Sequence, residues 1–133
     1  MKKKTISGAL YVDGFVFVVP KKNRAAYKKM AEWGKSLWLK HGALDYKECI
    51  ADDLKVKATH GMKPLSFTQI AKPKKGEEVW FSYIIFKSRK HRGQVNAKVM
   101  KDPSMDDPKW KDMTMPMDPN RMAYGGFKVL VSA

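Results

Sequence analysis

The chain has one cysteine, Cys49, among its 133 residues. It therefore cannot close an internal disulfide, which fits a reducing compartment, and a cytoplasmic location is the expectation. Acidic side chains are scarce: 13 Asp and Glu stand against 27 Lys and Arg, for a formal net charge of +14. No apolar run reaches the roughly 18 residues that a membrane-spanning helix needs, so no membrane partner is expected. Lys2, Lys3 and Lys4 could open a secretory leader, but Asp13 breaks the apolar stretch behind them and no small-residue cleavage site ends it. Metal spacing is missing as well. Cys49, His41, His60 and His91 are scattered, which argues against zinc. There is no nucleophile elbow, P-loop, dinucleotide fingerprint or pair of catalytic carboxylates. Neither a metal nor a cofactor is expected.

What is present is enough apolar material for a core. Apolar residues make up 44% of the chain, and a domain of this length buries roughly 65–70% of its unfolded surface. One domain over residues 9–133 is expected, behind a flexible basic tail at residues 1–8. The charge excess invites binding to nucleic acid or another anionic partner. However, the lysines are spread over the tail, the first helix, the central loops and the C-terminal loop rather than gathered with aromatics between them. Nucleic-acid binding is therefore the weaker reading.

The pattern along the chain alternates strands and helices. Tyr11 to Val19 is apolar at nearly every position, as in a strand buried on both faces. A helix from about Lys22 to Lys40 places Ala26, Tyr27, Met30, Trp33, Gly34, Leu37 and Trp38 on one stripe, with Asn23 as its N-cap and Gly42 just past its end. Leu44 to Ala51 alternates, with Leu44, Tyr46, Glu48 and Ile50 facing one way and Asp45, Lys47 and Cys49 the other. Leu65 to Ile70 reads as an irregular strand or extended arm. Glu78 to Phe86 is the strongest strand. Ser88 caps a second helix to about Lys101, a long irregular proline- and methionine-rich segment follows with room for one helical turn near Asp106 to Trp110, and Met122 to Val131 closes the chain. Two strand–helix–strand units of about sixty residues predict a ferredoxin-like βαββαβ fold of the α+β class: one four-stranded antiparallel sheet with both helices on one face.

Two helices cover only one face of such a sheet, yet at least two strands are apolar on both. The uncovered face would be a patch of several hundred Å², more than monomers usually expose. A second copy packed face to face removes it, so a homodimer is expected. Burying ~600 Å² of apolar surface is worth about 15 kcal/mol before the cost of association. The alternative is that the long loops cover the face.

The segments Tyr11-Val-Asp-Gly-Phe-Val, Trp38-Leu-Lys-His-Gly-Ala-Leu-Asp-Tyr46, Ser88-Arg-Lys-His-Arg92, Val95-Asn-Ala-Lys-Val-Met-Lys-Asp-Pro103 and Arg121-Met-Ala-Tyr-Gly-Gly-Phe127 resemble domain-of-unknown-function family 1428. The resemblance runs from Tyr11 to Ala133. It implies membership of the dimeric α-β barrel superfamily, mostly small bacterial cytoplasmic proteins, and hence a dimer whose sheets form the barrel. It implies no particular activity, because superfamily relatives carry unrelated chemistries.

In that fold a pocket lies between the helices and the sheet. Asp13 is the one acid within an apolar strand, a candidate general acid or base, or else a carboxylate held by a loop amide or a lysine. His91 sits in the first turn of a helix, where the positive end favours a neutral imidazole; it is a candidate base or a surface cap. Arg92 and Asn96 share a helix face and are candidate ligand contacts, with Trp80, Tyr83 and Tyr124 as an aromatic wall. Core packing is the competing account of the aromatics. Gly125 and Gly126 mark a bulge or the close approach of another group, the bulge being favoured. Met105, Met113, Met115 and Met117 suit an adaptable lid or plain loop packing. The leading reading is a homodimeric small-molecule-binding protein or enzyme acting on a small hydrophobic or aromatic metabolite. A non-catalytic dimeric interaction module is the third possibility.

Overall fold

A computed structural model describes residues 10–133; the tail expected at residues 1–8 lies outside them. Strand β1 spans Tyr11–Pro20. A single 3-10 turn at Lys21–Asn23 leads into helix α1, Arg24–Lys40. Tyr27, Ala31, Gly34 and Leu37 are its buried positions, one per helical turn. Strand β2 is Asp45–Ile50, short helix α2 is Phe67–Ala71, and strand β3 is Glu77–Phe86. Helix α3, Arg89–Met100, begins at Ser88, whose side chain accepts the His91 N–H. Helix α4, Pro108–Lys111, lies in the proline-rich segment, and β4, Ala123–Lys128, is the last strand. The sheet order is β2-β3-β1-β4 with every neighbouring pair antiparallel. The expected βαββαβ order and α+β class are thus present, with α2 and α4 as additions.

The register sorts the side chains. Asp13 lies opposite Ile84, Phe15 opposite Ser82 and Phe17 opposite Trp80; Tyr46 lies opposite Ile84 and Glu48 opposite Ser82. All of these share the face that carries α1 and α3. Two clusters of buried residues form there. One joins Phe17, Val19, Tyr27, Ala31, Trp80 and Met117; the other joins Leu37, Ala43, Ile84, Phe86, Val95 and Val99. Full burial of one such side chain is worth about 1.5–3 kcal/mol. The opposite face carries Val12, Val16, Phe81, Tyr83, Ile85 and Phe127. Helix α2 shields one end of it, with Phe67 edge-on to Phe81 at 6.3 Å, and there Val18 and Val79 are buried.

Several expectations are corrected. Leu65 to Ile70 contains no strand: Ser66 and Gln69 form a capping box that starts α2, satisfying two otherwise free N–H groups. Asn23 precedes α1 but does not cap it; its Nδ2 donates to the Pro116 carbonyl at 2.9 Å and ties the long loop to the helix start. The last strand ends at Lys128, six residues long. Gly125 and Gly126 make no bulge. They pair in continuous register with Gly14 and Asp13, and a Cβ on Gly126 would collide with the Tyr11 hydroxyl and the Arg92 guanidinium. Close approach is therefore what glycine serves at that position.

Asp102, just past α3, fastens the two long helices together. One carboxylate oxygen lies 2.9 Å from Lys40 Nζ and 2.7 Å from His41 Nε2, and the other accepts the Ser104 N–H at 2.9 Å. The Lys40 contact, the Ser104 N–H and His41 hold its pKa well below the ordinary aspartate value of 3.8. Because the folded-state value is depressed, the stabilisation is complete above the ordinary value and is lost as pH falls through the folded one. Asp102→Asn is expected to lower stability at neutral pH and to converge on the wild type in strong acid, as urea unfolding at successively lower pH will measure.

Candidate functional site

Between α1 and the helix-bearing face of the sheet lies a cleft of about 270 Å³. Its walls are apolar: Phe15, Met30, Trp33, Trp38, Ile84 and Met122 all border it. A more open recess of about 440 Å³ continues past Phe15, Trp38, Ile84 and Met122 to Asp13, Asn96 and Tyr124. The long loop helps to roof this space. Trp110 of α4 stacks on Trp33 at 4.7 Å and 14°, and Met117 inserts into the first core cluster. Of the methionines expected to form a lid, Met117 is buried whereas Met115 is exposed. The space falls at the lower end of the size range of small-molecule sites.

At one end of the cleft stands Glu48, on the edge strand β2. Tyr27 donates its hydroxyl to Oε1 at 2.8 Å, and Tyr46 donates to Oε2 at 2.7 Å. Ser82 is directly across the register. Burial raises the Glu48 pKa, while the hydroxyls of Tyr46, Tyr27 and Ser82 pull it down; burial prevails. Both tyrosines are pushed far above the ordinary phenol value, first by burial and then by the Glu48 charge, so both remain donors. Gly34 makes this possible, because a Cβ there would stand 3.0 Å from the Tyr46 hydroxyl oxygen.

At the other end stands Asp13, buried to 2% exposure. Arg92 Nε donates to its Oδ1 at 3.0 Å, and the guanidinium lies over the Tyr11 ring at 5.0 Å. Tyr124 stacks on Phe15 at 4.9 Å. Burial, and then the Asp13 charge, raise its pKa. Asn96 Oδ1 accepts from Trp38 Nε1 at 3.0 Å. Its carboxamide N–H groups have no protein acceptor among the hydrogen bonds of the described residues, which leaves donors at the recess.

The structure thus gathers Asp13, Arg92, Asn96 and Tyr124 into one neighbourhood. It does not bring the other candidates there. His91 has its Nδ1 engaged by the Lys87 N–H at 3.0 Å and its ring edge-on to Phe86. Burial and the nearby Lys87 and Lys98 charges lower its pKa. Tyr83 borders the apolar cleft along β3, but its side chain alternates to the opposite face of the sheet, its ring 6.2 Å from Phe81. Trp80 is buried in the first cluster beside Phe17 and Tyr27, and its indole N–H has no acceptor, a state that costs about 1–3 kcal/mol. Among the described residues no three His, Cys, Asp or Glu side chains come together as metal ligands, and no helix is long and apolar enough to cross a membrane.

Sequence reasoning missed the Glu48 cluster. A signal was available: Glu48 falls on the same face of β2 as Tyr46 and Ile50, an acid on the side turned to the core. Its partner Tyr27 is 21 residues away on α1, a pairing that no local pattern contains.

A family model described as "Protein of unknown function (DUF1428)" matches residues 10–119. The chain is 39% identical over 121 residues to the "Uncharacterized protein YbaA" of Escherichia coli (strain K12), covering 91% of this chain and 97% of that protein. The protein of the same description from Shigella flexneri matches with the same figures.

Proposed function

Because the chain belongs to the family described as "Protein of unknown function (DUF1428)", a description that names no chemistry, we propose its function from the site: a cytoplasmic homodimer that binds, and acts on, a small hydrophobic or aromatic metabolite in the cleft beneath α1. The observation that carries this is an apolar, aromatic-walled cleft with a polar cluster at each end. An apolar ligand body gains from leaving water there, at about 25 cal/mol per Å² buried. The few polar groups set its orientation. The Asn96 carboxamide supplies donors, Arg92 holds the Asp13 carboxylate beside them, and Tyr124 and Phe15 supply a stacking surface. The exposed, unbridged Cys49 suits a reducing cytoplasm.

Screening the full chain against aromatic and aliphatic metabolites by thermal shift tests this reading. Compounds that stabilise the wild type are expected to lose at least about tenfold in affinity, or 1.4 kcal/mol, against Asn96→Ala. Asn96→Ala should also quench differently in tryptophan fluorescence, since it frees the Trp38 indole N–H. If no compound stabilises the wild type, the cleft is packing space and the reading is wrong.

A further inference from the structure

We propose that Glu48 is the proton-transfer group of the cleft, working with Tyr46 on a small apolar molecule that carries a carbonyl with a hydrogen on the adjacent carbon. This rests on the cleft being a ligand site, as proposed above. Three features of the geometry support it. Glu48 and Tyr46 border both the apolar cleft and a second, more open recess on the other side of α1 from Asn96, which Lys28 and Lys35 flank. They therefore stand where a ligand passes from water to an apolar wall. Each carboxylate oxygen is held by one phenol, so the group is oriented before any ligand arrives. Glycine at position 34 leaves room for the Tyr46 hydroxyl against α1. A Cβ there would stand 3.0 Å from that hydroxyl and force it to shift.

The chemistry balances with these groups alone. A Glu48 oxygen takes the proton from the carbon beside the carbonyl. The C–H electron pair becomes the C=C bond of an enolate, and the carbonyl oxygen takes the charge. The Tyr46 O–H, previously donated to the carboxylate, turns to that oxygen. Return of the proton from Glu48, to the same carbon or to a conjugated one, completes an exchange or a tautomerisation without any change in oxidation state. Burial favours the neutral acid and so strengthens the carboxylate as a base. The aromatic walls set the substrate class: Phe15, Trp33 and Trp38 suit an aryl or branched aliphatic body.

The test uses two probes, phenylacetone and phenylpyruvate, with the full chain in D2O. Proton NMR follows exchange of the hydrogens beside the carbonyl, and quenching of tryptophan fluorescence follows binding separately. Wild type is expected to accelerate exchange about a hundredfold over buffer, the ordinary size of general acid–base catalysis. The rate should rise with pH through a group titrating above the free glutamate value of 4.5. Glu48→Gln, nearly the same size, should bind with unchanged quenching but exchange at the buffer rate. Tyr46→Phe should keep binding and lose most of the acceleration, since removing one oxyanion donor costs about a hundredfold or more. Quenching by either probe with no exchange in wild type, or exchange in Glu48→Gln equal to wild type, overturns the proton-transfer assignment and leaves the cleft as a binding site. If neither probe quenches nor exchanges, the site assignment falls as well.

Discussion

Phe127→Asp, alone or with Phe81→Asp, is expected to turn the proposed dimer of 15.2 kDa subunits into folded monomers at micromolar concentration, as sedimentation velocity will measure. The reasoning begins with the sheet face that bears neither α1 nor α3. Phe127 is 63% exposed and Phe81 42%, and Val12, Val16, Tyr83 and Ile85 lie on the same side. The Phe127 ring lies over the paired glycines Gly14 and Gly125, 3.6 Å from where a Cβ would stand on either. Those glycines form a shallow trough, and the ring fills it as a raised apolar ridge. Helix α2 shields only the end near Phe81 and Val18. On β2 the same face is polar, with Asp45 paired to Lys47 at 2.7 Å, so the apolar centre falls on β3, β1 and β4. In a symmetric dimer each substitution acts twice. Burying two unpaired carboxylates in the proposed interface would cost well over 4 kcal/mol, at least about a thousandfold in Kd. The core on the helix side is untouched, so circular dichroism should show retained structure. A wild type that sediments as one folded subunit at micromolar concentration would remove the dimer, and with it the barrel implied by the family resemblance.

How far the sequence speaks depends on the range of the interaction. β1 and β3 were readable because their apolar runs need no partner information; those runs predict burial on both faces, whereas the single chain buries mainly the helix side and, on the other, only the end with Val18 and Val79, leaving Phe81 exposed. Ser88 and Gly42 were readable because capping is local: Ser88 accepts a bond three residues on, and Gly42 adopts a φ of +112° that glycine takes without strain. Helix α2 was also locally encoded, in Ser66 and Gln69, but Leu65, Phe67 and Ile70 have a spacing that suits a strand almost as well. The site was legible only in pieces. Asp13 stood out as an acid in an apolar strand, and Arg92 and Asn96 as polar groups near a helix stripe. That Arg92 reaches Asp13 across 79 residues of sequence depends on the sheet order and on the space above Gly126. His91 was drawn in by its residue type and helix position, but its ring serves the start of α3. Glu48 was passed over because β2 alternates so regularly that its acid looked like an ordinary member of a half-exposed strand.

Arg92→Ala is expected to destabilise the protein by about 2–4 kcal/mol, lowering Tm by roughly 10 °C on the usual scaling for a chain of this size. The side chain of Asp13 is 3% exposed and that of Arg92 23%. Removing the guanidinium leaves a buried carboxylate facing Tyr11 and Tyr124 with no cation, which is the costly way to break such a pair. The partial exposure of Arg92 keeps the loss below that of a fully enclosed pair. Arg92→Lys should fall between, since an ammonium keeps the charge but cannot lie flat over the Tyr11 ring. Asp13→Asn combined with Arg92→Ala should be less harmful than the two single effects summed, with a coupling of at least about 1 kcal/mol by chemical denaturation. Tyr124 offers an independent readout. The Asp13 charge raises its pKa and the Arg92 charge lowers it. Its phenol should therefore titrate higher in Arg92→Ala and lower in Asp13→Asn, as carbon-detected NMR of labelled tyrosine can follow. Stability in Arg92→Ala equal to wild type, with Tyr124 unmoved in both variants, would mean that the two side chains do not form the pair drawn here, and the donors assigned to that end of the cleft would have to be placed elsewhere.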